Sequence, residues 1–118
     1  MKRDKTDALF SRYIKLLSVG YCKRCEKYLG VNSRGLHCAH FHSRGKKSVR
    51  WDRDNATALC YGCHRYLDQR PLEKAEFFKK ILGNIDFDKL NGRALKPCWS
   101  NIEAIQADLK EKIKLLED

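Results

Sequence analysis

Four of the six cysteines form two pairs whose spacing suits a metal ion. Two residues separate Cys22 from Cys25, and two residues separate Cys60 from Cys63. This gap lets both thiolates of a pair turn to one side of a tight turn, so that two pairs together form a tetrahedral site for Zn²⁺. Because sulfur fills all four positions of such a site, the sequence predicts a structural zinc ion with no open position for catalysis.

The cellular compartment bears on this interpretation, because the alternatives are disulfides or a redox pair. No apolar segment follows the positive charges of the first seven residues, so we expect no secretory signal and a reducing cytoplasm, where spaced cysteine pairs are more often metal ligands. No apolar run approaches the ~20 residues that span a bilayer, and we expect no membrane partner. Cys38 and Cys98 lie outside the pairs and are interpreted as small buried apolar residues.

Histidines are concentrated beside the cysteines. His37, His40 and His42 lie within six residues of one another, and His64 directly follows the last cysteine of the second pair. An imidazole titrates near physiological pH, so such a cluster beside a metal site indicates a functional site. We interpret His37 as a surface or packing residue. His42 shares a strand face with His40 and is a candidate for substrate contact.

The charge of the chain favours a polyanionic partner. Its 118 residues carry a formal charge of +10, and half of that charge lies between Arg34 and Arg53, where six basic residues accompany one acid. Such a charge on a small domain favours DNA or RNA, because basic side chains bind phosphates and so position a nucleic acid. We predict substrate contacts from the loop between the cysteine pairs. The candidates are His42, Arg44, Lys46, Lys47 and Arg50.

Apolar spacing and turn residues indicate the elements that position these groups. The predicted elements are a helix over 6–17, strands over 36–42 and 55–59, and helices over 61–69 and 71–82. Residues 84–97 show little pattern and are predicted to form a connector. We expect a single domain, organised as an N-terminal helix (1–20), a zinc-stapled core (21–70) and a helical extension (71–118).

The clearest predicted element is a C-terminal helix. Ser100 and Glu103 have the spacing of a capping box, which satisfies the first free amide groups of a helix. An apolar stripe follows on one face, with charged residues on the others, and we expect it to pack on the domain core in preference to forming a dimer seam. The stripe consists of Ile102, Ile105, Leu109, Ile113 and Leu116.

The order of these residues resembles the HNH, or ββα-metal, nucleases. That motif has a histidine at the end of a strand, an asparagine in the following loop or strand, and a histidine or asparagine on the next helix. His40, Asn55 and His64 match it in this order. Within this superfamily the chain is most similar to the NinG/Rap family of phage recombination endonucleases. The similarity covers residues 7–17, 38–41 and 50–55, the second cysteine pair and the helix after Trp99.

The resemblance implies a fold, an activity and a set of roles. The fold is α+β, with a small ββα-metal (HNH) core stapled by the four-cysteine zinc site and flanked by an N-terminal helix and C-terminal helices. His40 is the general base, Asn55 ties the loop and orients His40, and His64 binds a catalytic Mg²⁺ or Mn²⁺. The implied activity is cleavage of branched DNA such as Holliday junctions. This cleavage leaves 5′ phosphates and 3′ hydroxyls. The resemblance also implies that the enzyme is encoded by a phage or prophage and acts in the bacterial cytoplasm.

The second protein ligand of that catalytic cation is open. Many HNH nucleases carry an Asp or His directly before the base, but this chain has Ala39, and NinG/Rap members likewise tend to carry a small residue there. Asp68 lies four residues after His64 on the same helical face, a spacing that suits two ligands of one ion. His42 is the alternative, if the strand bends to bring it round.

Two other functions stay open. The residues themselves argue only for phosphodiester hydrolysis, and the branched substrate comes from the resemblance alone. A non-catalytic, zinc-containing module that binds nucleic acid would share the cysteines and the charge, but would leave His40, Asn55 and His64 unexplained. A general HNH endonuclease of restriction or homing type would share the site and differ in substrate. Resolving a junction takes two paired cuts, so junction resolution would call for a homodimer.

Overall fold

A two-stranded antiparallel hairpin with helices on both faces positions the predicted site. The computed structural model describes residues 2–98 and 100–117, so Trp99 lies outside the described residues. Strand β1 (Leu36–His40) pairs with strand β2 (Ala56–Cys60), with Leu36 opposite Cys60 and His40 opposite Ala56. This register places the second cysteine pair at one end of the hairpin and His40 at the other.

Within the described residues the fold is α+β, as the sequence predicts, with five helices and one sheet of two strands. None of these helices is long and apolar enough to cross a membrane. The helices are α1 (Lys5–Leu17), α2 (Tyr61–Asp68), α3 (Pro71–Leu82), α4 (Asn84–Ala94) and α5 (Ile102–Glu117). Two short 3-10 turns, Lys47–Val49 and Arg53–Asn55, lie in the connection between the strands.

Helices α1 and α5 cover one face of the hairpin. Strand residues alternate between faces, so Leu36 of β1 and Ala58 of β2 meet Phe10 of α1 in one buried cluster, to which α5 contributes Leu109 and Ile113. The predicted packing of the C-terminal stripe on the core is confirmed for those two residues. The ends of the stripe are more exposed, at 40% for Ile102 and 43% for Leu116.

Helix α2 covers the opposite face. Ala39 and Leu59 are fully buried there against Leu67 of α2, and Phe77 of α3 packs on the same cluster. Cys22 and Cys63 belong to this cluster as well, so one cysteine of each pair is part of the apolar interior.

The segment predicted to be a connector over 84–97 instead contains a helix, α4, over Asn84–Ala94. Its apolar pattern is sparse because only Leu90 and Ala94 are buried, where they pack against Val49 of the interstrand connection. Two buried positions and an interior glycine give little periodicity to read from sequence.

The start of α5 also differs from the prediction. The side chain of Asn101 accepts a hydrogen bond from the backbone N–H of Ala104 at 3.1 Å, so Asn101 caps the helix. Ser100, predicted as the cap, has its Oγ 2.6 Å from the sulfur of Cys98. Asparagine and serine are about equally good N-caps, so adjacent candidates leave the start of a helix ambiguous by one residue.

The contribution of α5 to stability can be measured with two leucines of the same helix. We expect Leu109→Ala to lower the free energy of unfolding by about 2–4 kcal/mol, because Leu109 is buried against α1 and its truncation leaves a cavity. Leu115, 67% exposed, is the matched control, and Leu115→Ala is expected to change stability by less than about 0.5 kcal/mol. Urea unfolding of both variants, with zinc supplied, gives the comparison. Equal losses would contradict the packing of α5.

Candidate functional site

The four paired cysteines meet in space, as the sequence predicts. The Sγ atoms of Cys22, Cys25, Cys60 and Cys63 all lie within 4.8 Å of one another, and the sulfurs of Cys25 and Cys60 are 3.8 Å apart. Two sulfurs bound tetrahedrally to zinc at about 2.3 Å stand about 3.8 Å apart. The four cysteines are free thiols rather than disulfides, and the cluster can bind a structural metal such as zinc.

Local backbone geometry and backbone hydrogen bonds prepare Cys22 of the first pair for this role. Gly20 has φ +85°, and a Cβ on it would stand 2.8 Å from the Cα of Gly30, so the turn that carries Cys22 and Cys25 folds tightly against the end of α1. Burial alone would raise the pKa of the Cys22 thiol. Hydrogen bonds from backbone N–H groups, including that of Cys25, outweigh burial and lower this pKa to about 7. A lowered pKa favours the thiolate, which is the metal-binding form.

The second pair ties the cluster to α2. Cys60 ends β2 and caps α2, since its sulfur accepts a hydrogen bond from the backbone N–H of Cys63 at 3.4 Å. From the other turn, the guanidinium of Arg24 lies 3.5 Å from the sulfur of Cys63 and stacks over the ring of Tyr66. The cluster therefore fixes the first turn of α2, which carries His64, against the hairpin that carries His40.

A surface cavity of about 710 Å³ lies between α1, β1, α2 and the start of α3. Of the predicted site residues, His40, Arg44, His64 and Asp68 line it. Five basic side chains and two carboxylates stand in its lining, so its charge favours an anion. The basic residues are Arg3, Lys15, Arg34, Arg44 and Lys74, and the acids are Asp7 and Asp68.

His40 lies at the end of β1 with one ring nitrogen already engaged. Its Nε2 is 3.1 Å from the backbone carbonyl oxygen of Arg50, and because a carbonyl only accepts, Nε2 carries the proton and Nδ1 of the neutral ring is free of one. Burial lowers the pKa of His40, although the hydrogen bond to the Arg50 carbonyl opposes this effect. His40 is therefore neutral at physiological pH, with Nδ1 able to accept a proton.

Asn55 holds the loop that follows β1. Its side chain is fully buried, and its Oδ1 accepts from the backbone N–H of His42 at 2.8 Å. Its Nδ2 donates to the carbonyl oxygens of His42 at 2.9 Å and Val49 at 3.1 Å. These bonds take the place of strand pairing, so β1 ends at His40 rather than at the predicted residue 42. Asn55 does not reach the cavity lining.

Arg50 is buried in an ion pair with α1. Only 7% exposed, its guanidinium binds both carboxylate oxygens of Asp7, through Nε at 2.9 Å and through Nη2, while the Trp51 Nε1 donates to Asp7 at 2.9 Å. Burial alone would raise the pKa of Asp7, but these hydrogen bonds together lower it below its usual value. The structure thus places Arg50, a predicted substrate contact, behind the cavity wall, where its carbonyl holds His40.

The other predicted substrate contacts are distributed unevenly. Arg44 lines the cavity, with its Nη1 3.4 Å from Asp7. His42 turns away, and its Nε2 lies 2.8 Å from the side-chain oxygen of Asn91 on α4. Lys46 and Lys47 are exposed and do not line the cavity. Arg44 alone of these five predicted contacts borders the cavity.

His64 and Asp68 lie one turn apart on α2, as their spacing predicts. The Nε2 of His64 is 3.2 Å from a carboxylate oxygen of Asp68, whose other oxygen accepts from Lys74 at 2.7 Å. On the other side of the ring, the Nδ1 of His64 lies 3.0 Å from the Nδ1 of His37. Burial lowers the pKa of His64, while Asp68 raises it and His37 lowers it further.

Several lining residues were not singled out from the sequence. Arg3 comes from the segment before α1, Lys15 from α1 and Lys74 from α3. No motif or spacing connects these residues to the histidines. His37 was interpreted as a surface or packing residue, yet it meets His64. Only the pairing of the strands and the placement of α2 bring these groups together.

Loss of one cluster cysteine tests the metal centre. We expect Cys60→Ser to abolish stoichiometric zinc binding and to unfold the domain, because the binding free energy of a structural zinc ion is folding free energy. Cys98→Ser, which removes a cysteine outside the cluster, is the matched control and should retain one zinc ion per chain. Metal analysis and far-UV circular dichroism measure both effects. A Cys60→Ser protein with full zinc content and normal stability would contradict the cluster.

The partly buried, neutral state of His40 predicts a pH dependence of stability. The unfolded ring takes up a proton near pH 6.5, whereas the folded ring does so only at lower pH, so its stabilising contribution is complete above pH 6.5 and is lost as pH falls through the folded pKa. NMR titration of the histidine rings should give a His40 pKa below 6.5. Unfolding measured at pH 7.5 and pH 5 should show a smaller loss for His40→Gln than for wild type. A His40 pKa at or above 6.5 would refute the prediction.

Comparison with known proteins does not assign the chain to a family. No protein-family model, no curated protein and no solved structure matches the chain. The HNH resemblance therefore depends on the motif residues and on where the fold places them.

Proposed function

We propose that the chain is a metal-dependent endonuclease with an HNH core, and that it cuts the phosphodiester backbone of branched DNA. One observation supports this most strongly: His40, at the end of β1, and His64, on the first turn of α2, line the same basic cavity. The hairpin followed directly by α2 is the element order that the HNH motif requires. In this proposal Zn²⁺ occupies the cysteine cluster and has no part in the chemistry.

His40 is the general base. The oxygen of a water molecule bonds to the phosphorus while its proton passes to Nδ1 of His40, and His40 later returns the proton to solvent. The bond from phosphorus to the 3′ oxygen breaks, so the products are a 5′ phosphate and, once the leaving oxygen is protonated, a 3′ hydroxyl. His64 would hold a divalent cation, Mg²⁺ or Mn²⁺, which would supply positive charge to the phosphate and the leaving oxygen.

Two buried groups orient the base without touching the substrate. The Arg50 carbonyl holds Nε2 of His40, and the ion pair with Asp7 fixes the backbone at Arg50. Asn55 binds the loop on both sides of the turn between His42 and Val49. Positioning of this kind lowers the barrier because the reacting groups are held in place before the substrate binds.

The basic lining binds the DNA backbone. Three basic residues line the cavity near α1 and β1, namely Arg3, Lys15 and Arg34. In this proposal they bind phosphates on either side of the cleaved bond. Phosphate contacts of this type fix the register of the DNA and carry no sequence information. Binding should therefore weaken steeply as salt concentration rises.

The branched substrate and the homodimer come from the family resemblance. A junction resolved by paired cuts requires two active sites, and a homodimer provides them. The proposed setting is the bacterial cytoplasm, with a phage- or prophage-encoded enzyme acting on recombination intermediates.

A cleavage assay on a fixed four-way junction tests the proposal. With Mg²⁺ or Mn²⁺, the wild type should cut the junction, and His40→Gln should cut about 10²–10⁴ times more slowly because a general base contributes that much. At pH 7.5, junction affinity, zinc content and unfolding midpoint of His40→Gln should match those of wild type, which separates catalysis from folding and binding.

Two results would redirect the proposal. Tight binding by the wild type with no cleavage under any cation would identify a non-catalytic nucleic-acid-binding module. Equal cleavage of the junction and of a linear duplex of the same sequence would identify a general HNH endonuclease.

A further inference from the structure

Two imidazoles face each other in the wall of the cavity. The Nδ1 atoms of His37 and His64 are 3.0 Å apart, and the two ring planes stand at 80° to each other. His37 comes from β1 and His64 from α2, so the contact depends on how these elements pack. Both rings line the same cavity as His40.

The far side of the His64 ring determines which nitrogen presents a lone pair. Its Nε2 lies 3.2 Å from the Asp68 carboxylate, and an ionised carboxylate only accepts hydrogen bonds. The proton of a neutral His64 ring therefore lies on Nε2, and Nδ1 carries the lone pair directed towards His37. Lys74, 2.7 Å from the other carboxylate oxygen, holds Asp68 in this position.

This arrangement is typical of a metal-binding histidine. Such a histidine almost always donates its second ring N–H to a carboxylate or carbonyl, which fixes the tautomer and the direction of the ring. The separation of the two Nδ1 atoms also fits, since two ligands about 2.1 Å from one ion and at right angles stand about 3.0 Å apart.

We propose that His37 and His64 together bind the divalent cation through their Nδ1 atoms, and that Asp68 orients His64 rather than binding the ion. The inference depends on the proposed function in one respect, because the cation is the one that DNA cleavage requires. It assigns a role to His37 and replaces Asp68 as the second protein ligand.

The donor type also sets the class of cation. Imidazole nitrogen suits transition-metal ions, whereas Mg²⁺ prefers oxygen ligands. A site with two imidazoles therefore binds Mn²⁺, Co²⁺ or Ni²⁺ more tightly than Mg²⁺. Mn²⁺ is the most suitable probe, because it competes least with zinc for the thiolates of the cysteine cluster.

Diffraction from crystals of the zinc-loaded wild type grown with Mn²⁺ locates the ion directly. We expect a peak in the manganese anomalous difference map within about 2.3 Å of the Nδ1 atoms of both His37 and His64. A peak between Nε2 of His64 and the Asp68 carboxylate would overturn the proposal. Absence of a peak near His64 would overturn it as well, and would leave the two rings joined by a hydrogen bond.

Mn²⁺ binding in solution tests the same assignment without a crystal. Electron paramagnetic resonance of free Mn²⁺ should show that His37→Gln weakens binding by about tenfold or more, and that Asp68→Asn, which retains a hydrogen-bond acceptor for Nε2, weakens it less. His42→Gln is the matched control, because it removes an imidazole held by Asn91 outside the cavity. Zinc content and unfolding midpoint of each variant verify folding. Equal affinity of His37→Gln and wild type, or a larger loss in Asp68→Asn, would refute the inference.

These experiments distinguish failure of the cation site at His37 and His64 from failure of the proposed nuclease activity. Mn²⁺ bound by the two imidazoles, with no cleavage of any DNA, would refute the nuclease and leave the cation site in place. Cleavage with Mn²⁺ bound to Asp68 would support the nuclease and refute the role of His37.

Discussion

The cluster of four cysteine sulfurs positions the hairpin and α2 relative to each other. These sulfurs join a turn just after α1 to the junction of β2 and α2, and the chain between them contains β1 and the long interstrand connection. A two-stranded sheet has little stability of its own, and a short helix such as α2 is marginal in water. A metal bound by both turns fixes the direction of α2 relative to the hairpin. His64 then faces His37, and both share a cavity with His40.

Hydrogen bonds and an ion pair fix the connection between the strands. Asn55 binds three backbone groups of this loop, and Asp7 joins Arg50 and Trp51 to α1. Buried polar groups destabilise a fold unless each has a partner, and no buried side-chain nitrogen or oxygen lacks one among the described residues. The loop that follows His40 is therefore fixed by side-chain hydrogen bonds, as the proposed role of His40 as a proton acceptor would require.

The sequence predicts those features that depend on neighbouring residues. The cysteine pairs and the long amphipathic helices follow from spacing within one turn or along one helix, whereas the α+β class comes from the family resemblance. Helix α4 cannot be predicted in this way. Only two of its residues are buried, and they pack against Val49, which is distant in the sequence. Arg50 shows the same limit: an arginine in a basic loop resembles a phosphate contact until Asp7, 43 residues earlier, is found beside it. Strand alternation placed His37 on the face opposite His40, and nothing local indicated that α2 would bring His64 to it.

In the proposed reaction, a neutral His40 acts as the base for a cation-assisted hydrolysis in this cavity. The most direct measurement is the pH dependence of kcat/KM for cleavage of a four-way junction with Mn²⁺, for wild type and His40→Gln, because this constant reports pKa values of the free protein. Because burial lowers the pKa of His40, the wild-type kcat/KM should rise and level off with an apparent pKa below 6.5, and His40→Gln should lack this step. A junction that is bound but stays intact at every pH, or a profile that is the same in both proteins, would contradict the account.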